Sequence, residues 1–195
     1  MNNYMAIAAA AEGLRHVLWD SFRSDARTAR YVQSRQGISL RSPADAAKYE
    51  AHQLSVWLYG VSPVAPEPSN PPLPINQRNA SPLPLDLHFL VTPLSPDGDL
   101  DLMLIGKVLQ TLNASPSILL VSDLEGFREH VQITQANPSP DEMSRIWASL
   151  KEPYRLAVCY RARLTRIDAK TPLPAGCPVV DRFSGHGFSP IDTVS

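Results

Sequence analysis

Three residue types in this chain invite a catalytic reading. Asp86 and His88 lie two apart in the stretch Ser81–Pro93, and Cys159 lies in a second alternating stretch, Tyr154–Ile167. A thiol, an imidazole and a carboxylate are the parts of a cysteine hydrolase. That chemistry needs the base within hydrogen-bond reach of the nucleophile and a donor pair for the oxyanion. No glycine-rich turn or nucleophile elbow stands beside Cys159, so these residues read as structural and no catalytic residue is expected. The histidines (16, 52, 88, 130, 186) are scattered, no CxxC occurs, and zinc is not expected. Asp97-Gly98-Asp99-Leu100-Asp101 opens like a calcium loop. Its sixth place is Leu102 where glycine is needed, and its twelfth is Val108 where a bidentate acid is needed. Neither GxGxxG nor GxxxxGK[ST] is present, and no cofactor or small-molecule substrate is expected.

Arginines supply the one ordered basic feature. Arg155, Arg161 and Arg163 share a face of the alternating stretch, with Arg166 nearby. Such a row is either a solvated face, a surface for acidic groups of a protein partner, or a contact for a phosphate backbone. No aromatic residues interleave on that face, which argues against nucleic acid. Arg78 and Asn79 stand in a polar cluster, Asn76-Gln77-Arg78-Asn79, just before the Asp86 stretch, either in a solvated loop or on an arm that meets a partner. The candidate protein-interface residues are therefore Arg78, Asn79, Asp86, His88, Arg155, Arg161 and Arg163.

Composition narrows the classes further. At 195 residues the chain is long enough for one domain with a sizeable core. Its 18 Lys and Arg against 19 Asp and Glu leave a net charge of −1, so no global field draws it to nucleic acid or an anionic membrane. Two cysteines, Cys159 and Cys177, cannot build a disulfide framework and are expected reduced. The first residues lack a basic n-region, and Glu12 and Arg15 interrupt their apolar run, so no signal peptide is read. No stretch approaches the ~20 apolar residues of a spanning helix. Synthesis in the cytoplasm, without direct membrane insertion, is the expectation.

The elements that must position these residues follow from periodicity. In Ser81–Pro93, Leu85, Leu87, Phe89 and Val91 alternate with Asp86, His88 and Thr92, the pattern of a strand with one buried face, bracketed by Pro84 and Pro93. Tyr4, Ile7, Ala11, Leu14, Leu18 and Phe22 form the stripe of a first helix, despite Gly13. Residues 25–35 read as solvated. A short strand at Gly37–Leu40, a short helix capped by Ser42, and a strand at Leu54–Val61 come next. Leu102, Ile105, Leu109 and Leu112 predict a helix stopped at Asn113. Ser117–Ser122 and His130–Gln135 predict strands. Ser139-Pro140-Asp141-Glu142 is a capping box that opens a helix with Met143, Ile146, Trp147 and Leu150 inward and Pro153 at its end. Tyr154–Ile167 alternates throughout and, at ~3.3 Å per residue, would extend about 45 Å.

The sum is an α+β domain: one helix, a mainly antiparallel sheet of about four to five strands, and two further helices on one face. It spans residues 1–168. Eight of the 19 prolines fall between Pro63 and Pro84, which marks 62–80 as a long loop, and 169–195 reads as an arm or tail.

Several separated motifs, in order, resemble one family. They are Leu54–Val61, then Arg78-Asn79, then Pro82–Val91, the Ile105–Leu112 helix, Ile146–Leu150, and Pro153–Tyr160. The chain from about Tyr4 to Asp168 resembles the sheath-terminator or cap proteins of phage-tail-like contractile injection systems; the proline-rich insertion and the tail after Asp168 depart from that pattern. The resemblance implies a tail-terminator-like fold and a structural role. Six copies would form a ring ending the inner tube and sheath and coupling them. The partners would be sheath and inner-tube proteins, in a particle that is released or attached to membrane through other components. It implies no catalytic residue.

Overall fold

The computed structural model describes residues 5–64, 84–122 and 127–164. Tyr4, Arg78, Asn79, Arg166, Cys177 and the 169–195 arm lie outside them. Helix α1 (Ala6–Ser24) leads through a 3-10 turn (Arg35–Gly37) to strand β1 (Ile38–Ser39) and helix α2 (Pro43–Ala46). Strands β2 (Leu54–Pro63) and β3 (Leu85–Pro93) follow, then α3 (Gly98–Ala114), β4 (Ser117–Ser122), β5 (Phe127–Ala136), α4 (Pro140–Leu150) and β6 (Val158–Leu164). All six strands form one sheet in the order β1-β2-β3-β6-β5-β4. Every pairing is antiparallel except β1 with β2. The α+β class and the mainly antiparallel sheet stand; six strands replace four or five.

Central position explains why every residue of β3 except the half-buried His88 is buried. The strand pairs with β2 on one side and β6 on the other. Leu87, Phe89 and Val91 are fully buried on one face with Leu54 and Val56 of β2 and Tyr160, Ala162 and Leu164 of β6. Helices α1 and α3 cover that face through Leu14, Leu18 and Phe22, and through Leu104, Val108 and Leu112. Ser21 Oγ and Thr111 Oγ1 share a hydrogen bond of 2.6 Å where the two helices meet. The opposite face carries a second cluster, in which Met143 and Trp147 of α4 pack on Leu90 and Cys159. Helix α4 is thus on the other side of the sheet from α3, because period two sends Leu90 opposite to Phe89 and Val91. The expectation of both later helices on one face is corrected accordingly.

Local signals set most boundaries. Ser42 and Ser139 cap α2 and α4, and the full capping box forms with Glu142. Asp97 caps α3 by accepting from the Asp99 N–H, while Asp99 and Asp101 lie in its positive first turn. Helix α4 ends three residues before Pro153, with Lys151 as C-cap at φ 55°, a left-handed cap. Helical phases are less well read. In α1 the stripe runs through Ala6 and Ala10 while Ile7 and Ala11 are only partly buried. In α3, Leu102 is exposed and Leu104 and Val108 are inside. Val32, in the segment read as solvated, is fully buried. Gly13 has a packing reason: a Cβ there would lie 2.8 Å from Leu120 Cδ2 and 3.3 Å from Ile118 Cγ2, so α1 approaches β4 too closely for a side chain.

Candidate functional site

Four of the residues singled out from sequence, Asp86, His88, Arg161 and Arg163, converge on the second face, beyond the end that α4 covers. Strand register sets Asp86 opposite Arg163, His88 opposite Arg161 and Leu90 opposite Cys159. On the other flank of β3, Ser62 faces Asp86 and Gly60 faces His88, with a bulge between Leu58 and Gly60 that absorbs Tyr59. Gly60 lies against His88, where an added Cβ would make ordinary contact at 3.7 Å with the His88 Cβ and ring.

Asp86 anchors the cluster. Its carboxylate is 11% exposed and takes two hydrogen bonds from Arg163, Nε to Oδ1 at 2.9 Å and Nη2 to Oδ2 at 3.1 Å. The second arginine, Arg161, approaches Oδ2 only to 3.8 Å and is 42% exposed. The Arg163 hydrogen bonds hold the Asp86 carboxyl below its ordinary value, with a smaller contribution from the Arg161 charge. One carboxylate thus stands between two guanidiniums. His88 joins through an Nε2···Ser62 Oγ hydrogen bond of 2.8 Å, and its ring lies 5.9 Å from that of Tyr59.

Cys159 belongs to the covered end of the same face. It is 3% exposed, and its thiol lies 3.7 Å from Met143 Sδ as the donor of a weak hydrogen bond. Burial pushes the thiol up from its ordinary value and Tyr59 up to about 12. A buried, protonated thiol lacks the electropositive, accessible surroundings that activate a nucleophile. Cys159, His88 and Asp86 share a face, but their close partners are Met143, Ser62 and Arg163 respectively. They do not form a hydrogen-bonded triad.

Arg155 is not part of this row. Strand β6 starts at Val158, so residues 154–157 lie outside the ladder, and Arg155 is exposed. Its charge acts instead on Asp101, at the start of α3. The alternation through Leu156 is real, but β5 pairs β6 only as far as Ala136 with Cys159, and β3 only as far as Val91 with Val158. With no strand to pair against, a β pattern does not become a strand. The structure also brings in two residues that the sequence reading passed over, Ser62 and Tyr59. They meet His88 only because of the β2–β3 register and its bulge.

The segment 65–83 joins β2 to β3 at the end of the sheet where this cluster lies. Its two flanks are pinned by a hydrogen bond from the Val64 N–H to the Pro84 carbonyl, at 3.0 Å. Among the described residues no group of three or more His, Cys, Asp or Glu is gathered as a metal site.

The fold is an α+β domain, a six-stranded sheet with helices on both faces and an ion-pair cluster at one end. The profile of the Pvc16 N-terminal domain matches residues 11–181, and the chain belongs to that family. Among solved structures, it is similar to the sheath/tube terminator of the extracellular contractile injection system PVC, in its extended state. The identity is 14%, with 97% of this chain and 64% of that chain covered and a TM-score of 0.56. A second similar structure is the tube-terminating cap of the anti-feeding prophage, at 15% identity over 72% of this chain and 47% of that chain, with a TM-score of 0.41. This chain therefore spans just under two thirds of the length of the terminator whose fold it shares. No curated protein matches it.

Proposed function

We propose that the chain is a structural terminator of a contractile injection system, a subunit of a six-fold ring that ends the inner tube and sheath and couples them. The observation that carries this reading is membership of the Pvc16 N-terminal domain family over residues 11–181, supported by a shared fold with a sheath/tube terminator over nearly the whole chain. The domain comprises residues 1–168, with 169–195 as an arm. The role is assembly rather than catalysis, in keeping with a buried, protonated Cys159 whose neighbours are packing residues. Among the described residues no helix is long and apolar enough to cross a membrane, and attachment to a membrane, where it occurs, falls to other components of the particle.

Within that role Arg161 and His88 form a contact surface for a partner's carboxylate. Arg163 is committed to Asp86, whereas Arg161 stands farther off and is more exposed. Arg78 and Asn79, which join β3 through the 65–83 segment, and Arg155 at another point of the surface are further contacts with sheath or tube proteins. Negative-stain imaging and native mass measurement of the purified chain test the assembly. A ring or a hexamer mass, with binding to the ends of tube or sheath, is expected; a monomer that never decorates those ends would sink the reading.

A further inference from the structure

Among the described residues the sheet has two open edges, and their chemistry is unusual. At one end β4 pairs there only with β5. At the other, β1 covers only Leu54 and Ser55 of β2, so Val56–Ser62 has no strand beyond it among the described residues. Exposed edges in monomeric proteins are commonly guarded by charge. Here Ser117-Ile-Leu-Leu-Val-Ser122 and Val56-Trp-Leu-Tyr-Gly-Val-Ser62 contain no charged residue at all.

The two edges also match in direction and shape. Following the antiparallel pairings from β2 through β3, β6 and β5 to β4 shows that β2 and β4 run the same way. A rotation that places copies side by side along the sheet preserves strand direction and brings β4 of one copy beside β2 of the next as a parallel pair. Against the β4 edge, on the side covered by α1, lies a cleft of about 440 Å3 of mixed character, lined by the apolar Ala9, Val17, Ile118, Leu119 and Leu120 around Gly13 and by the polar Glu12, His16 and Arg35, of which Glu12 and Arg35 are ion-paired. On the β2 edge, Val61 is opposite Leu87, so it points to that same side of the sheet, yet it is 47% exposed. Leu119, 48% exposed on the other side, would meet the side of the neighbouring β2 that bears Trp57 and Tyr59.

We infer that copies of this chain join edge to edge, β4 of one against β2 of the next, with the neighbour's Val61 seated in the cleft between α1 and β4. The occupant of each edge is a second copy, because one molecule carries both complementary halves. Such a contact is heterologous and closes into a ring when its rotation divides the circle. The bulge at Tyr59, which adds local twist to β2, supplies curvature. The inference rests on the ring reading and names its interface.

Cysteine cross-linking of the full chain in a Cys177→Ser background tests it, since Cys159 is buried. The two probes lie on the same side of the joint, His16→Cys lining the cleft and Val61→Cys on the β2 edge, and both replaced side chains are about half exposed, so the fold tolerates them. With a short bis-maleimide, a mixture of the two single variants should give a cross-linked dimer while neither variant alone does. The double variant should give a ladder to six copies. Val61→Asp should raise the concentration needed for assembly roughly tenfold or more, as the seated apolar side chain is replaced by a carboxylate that must lose its water at the joint. Cross-linking of His16→Cys alone would reveal a two-fold contact between the β4 edges and overturn the proposal. A hexamer mass with no cross-link in the mixture would overturn it too, leaving the ring itself intact. A monomer at every concentration would instead remove the ring reading, and this interface with it.

Discussion

Replacing Asp86 by alanine removes the acceptor of two charge-assisted hydrogen bonds and leaves Arg163 facing Arg161 without the intervening charge. Hydrogen bonds to a charged group are worth about 1.5–3 kcal/mol when only one partner is removed. Arg163 is 38% exposed and recovers part of this through water, so the discounted loss is about 1–3 kcal/mol. Urea unfolding of wild type, Asp86→Ala, Arg163→Ala and the double variant, at one fixed protein concentration, should give a coupling energy of roughly 1–2 kcal/mol. The pH dependence has a definite sign. The folded carboxyl titrates below its ordinary value of 3.8, so its contribution is fully present above that value and is lost as pH falls through the folded pKa. Asp86→Asn should therefore flatten the acid limb of the stability curve below about pH 4. A coupling energy below about 0.5 kcal/mol, or an unchanged acid limb, would refute the assignment of Asp86 as the electrostatic anchor of β3 and β6.

Two further substitution experiments probe packing on either side of the sheet. Gly13→Ala gains ~1 kcal/mol of helix propensity but drives a methyl against the buried Leu120 and Ile118, and overpacking costs about 1–3 kcal/mol; a net loss in thermal unfolding is expected, and a gain would show that α1 does not approach β4 as described. Cys159, buried with its thiol pushed up, should react with iodoacetamide at pH 7 at least tenfold more slowly than in urea-unfolded chain, and Cys159→Ser should leave assembly intact; rapid native labelling or loss of assembly would contradict its placement.

Much of the fold is legible from local chemistry. The Ser139–Glu142 capping box, the proline at the first turn of α4, the Ser42 cap, the acids at the start of α3 and the alternation of β3 all act within a few residues, so the chain states them directly. Helical phase is read less well, because α1 and α3 carry apolar residues on more than one side. Which of Ile7 or Ala6, Leu102 or Leu104, turns inward is decided by the neighbour it meets.

The sequence by itself determined the α+β class, the strands and helices in their order, and the polar face of β3 on which Asp86 and His88 lie. Only the tertiary structure decided what those residues do. Pairing Asp86 with Arg163 depends on strands 77 residues apart settling into one register. Separating Arg155 from Arg161 depends on where neighbouring strands stop, and placing α4 opposite α3 on which face of β3 each helix covers. Alternation fixes which side of a strand is apolar, a property of adjacent residues. Partners across a sheet, and edges left open at its ends, are properties of the assembled chain, because each ladder bond joins segments whose separation carries no local signal.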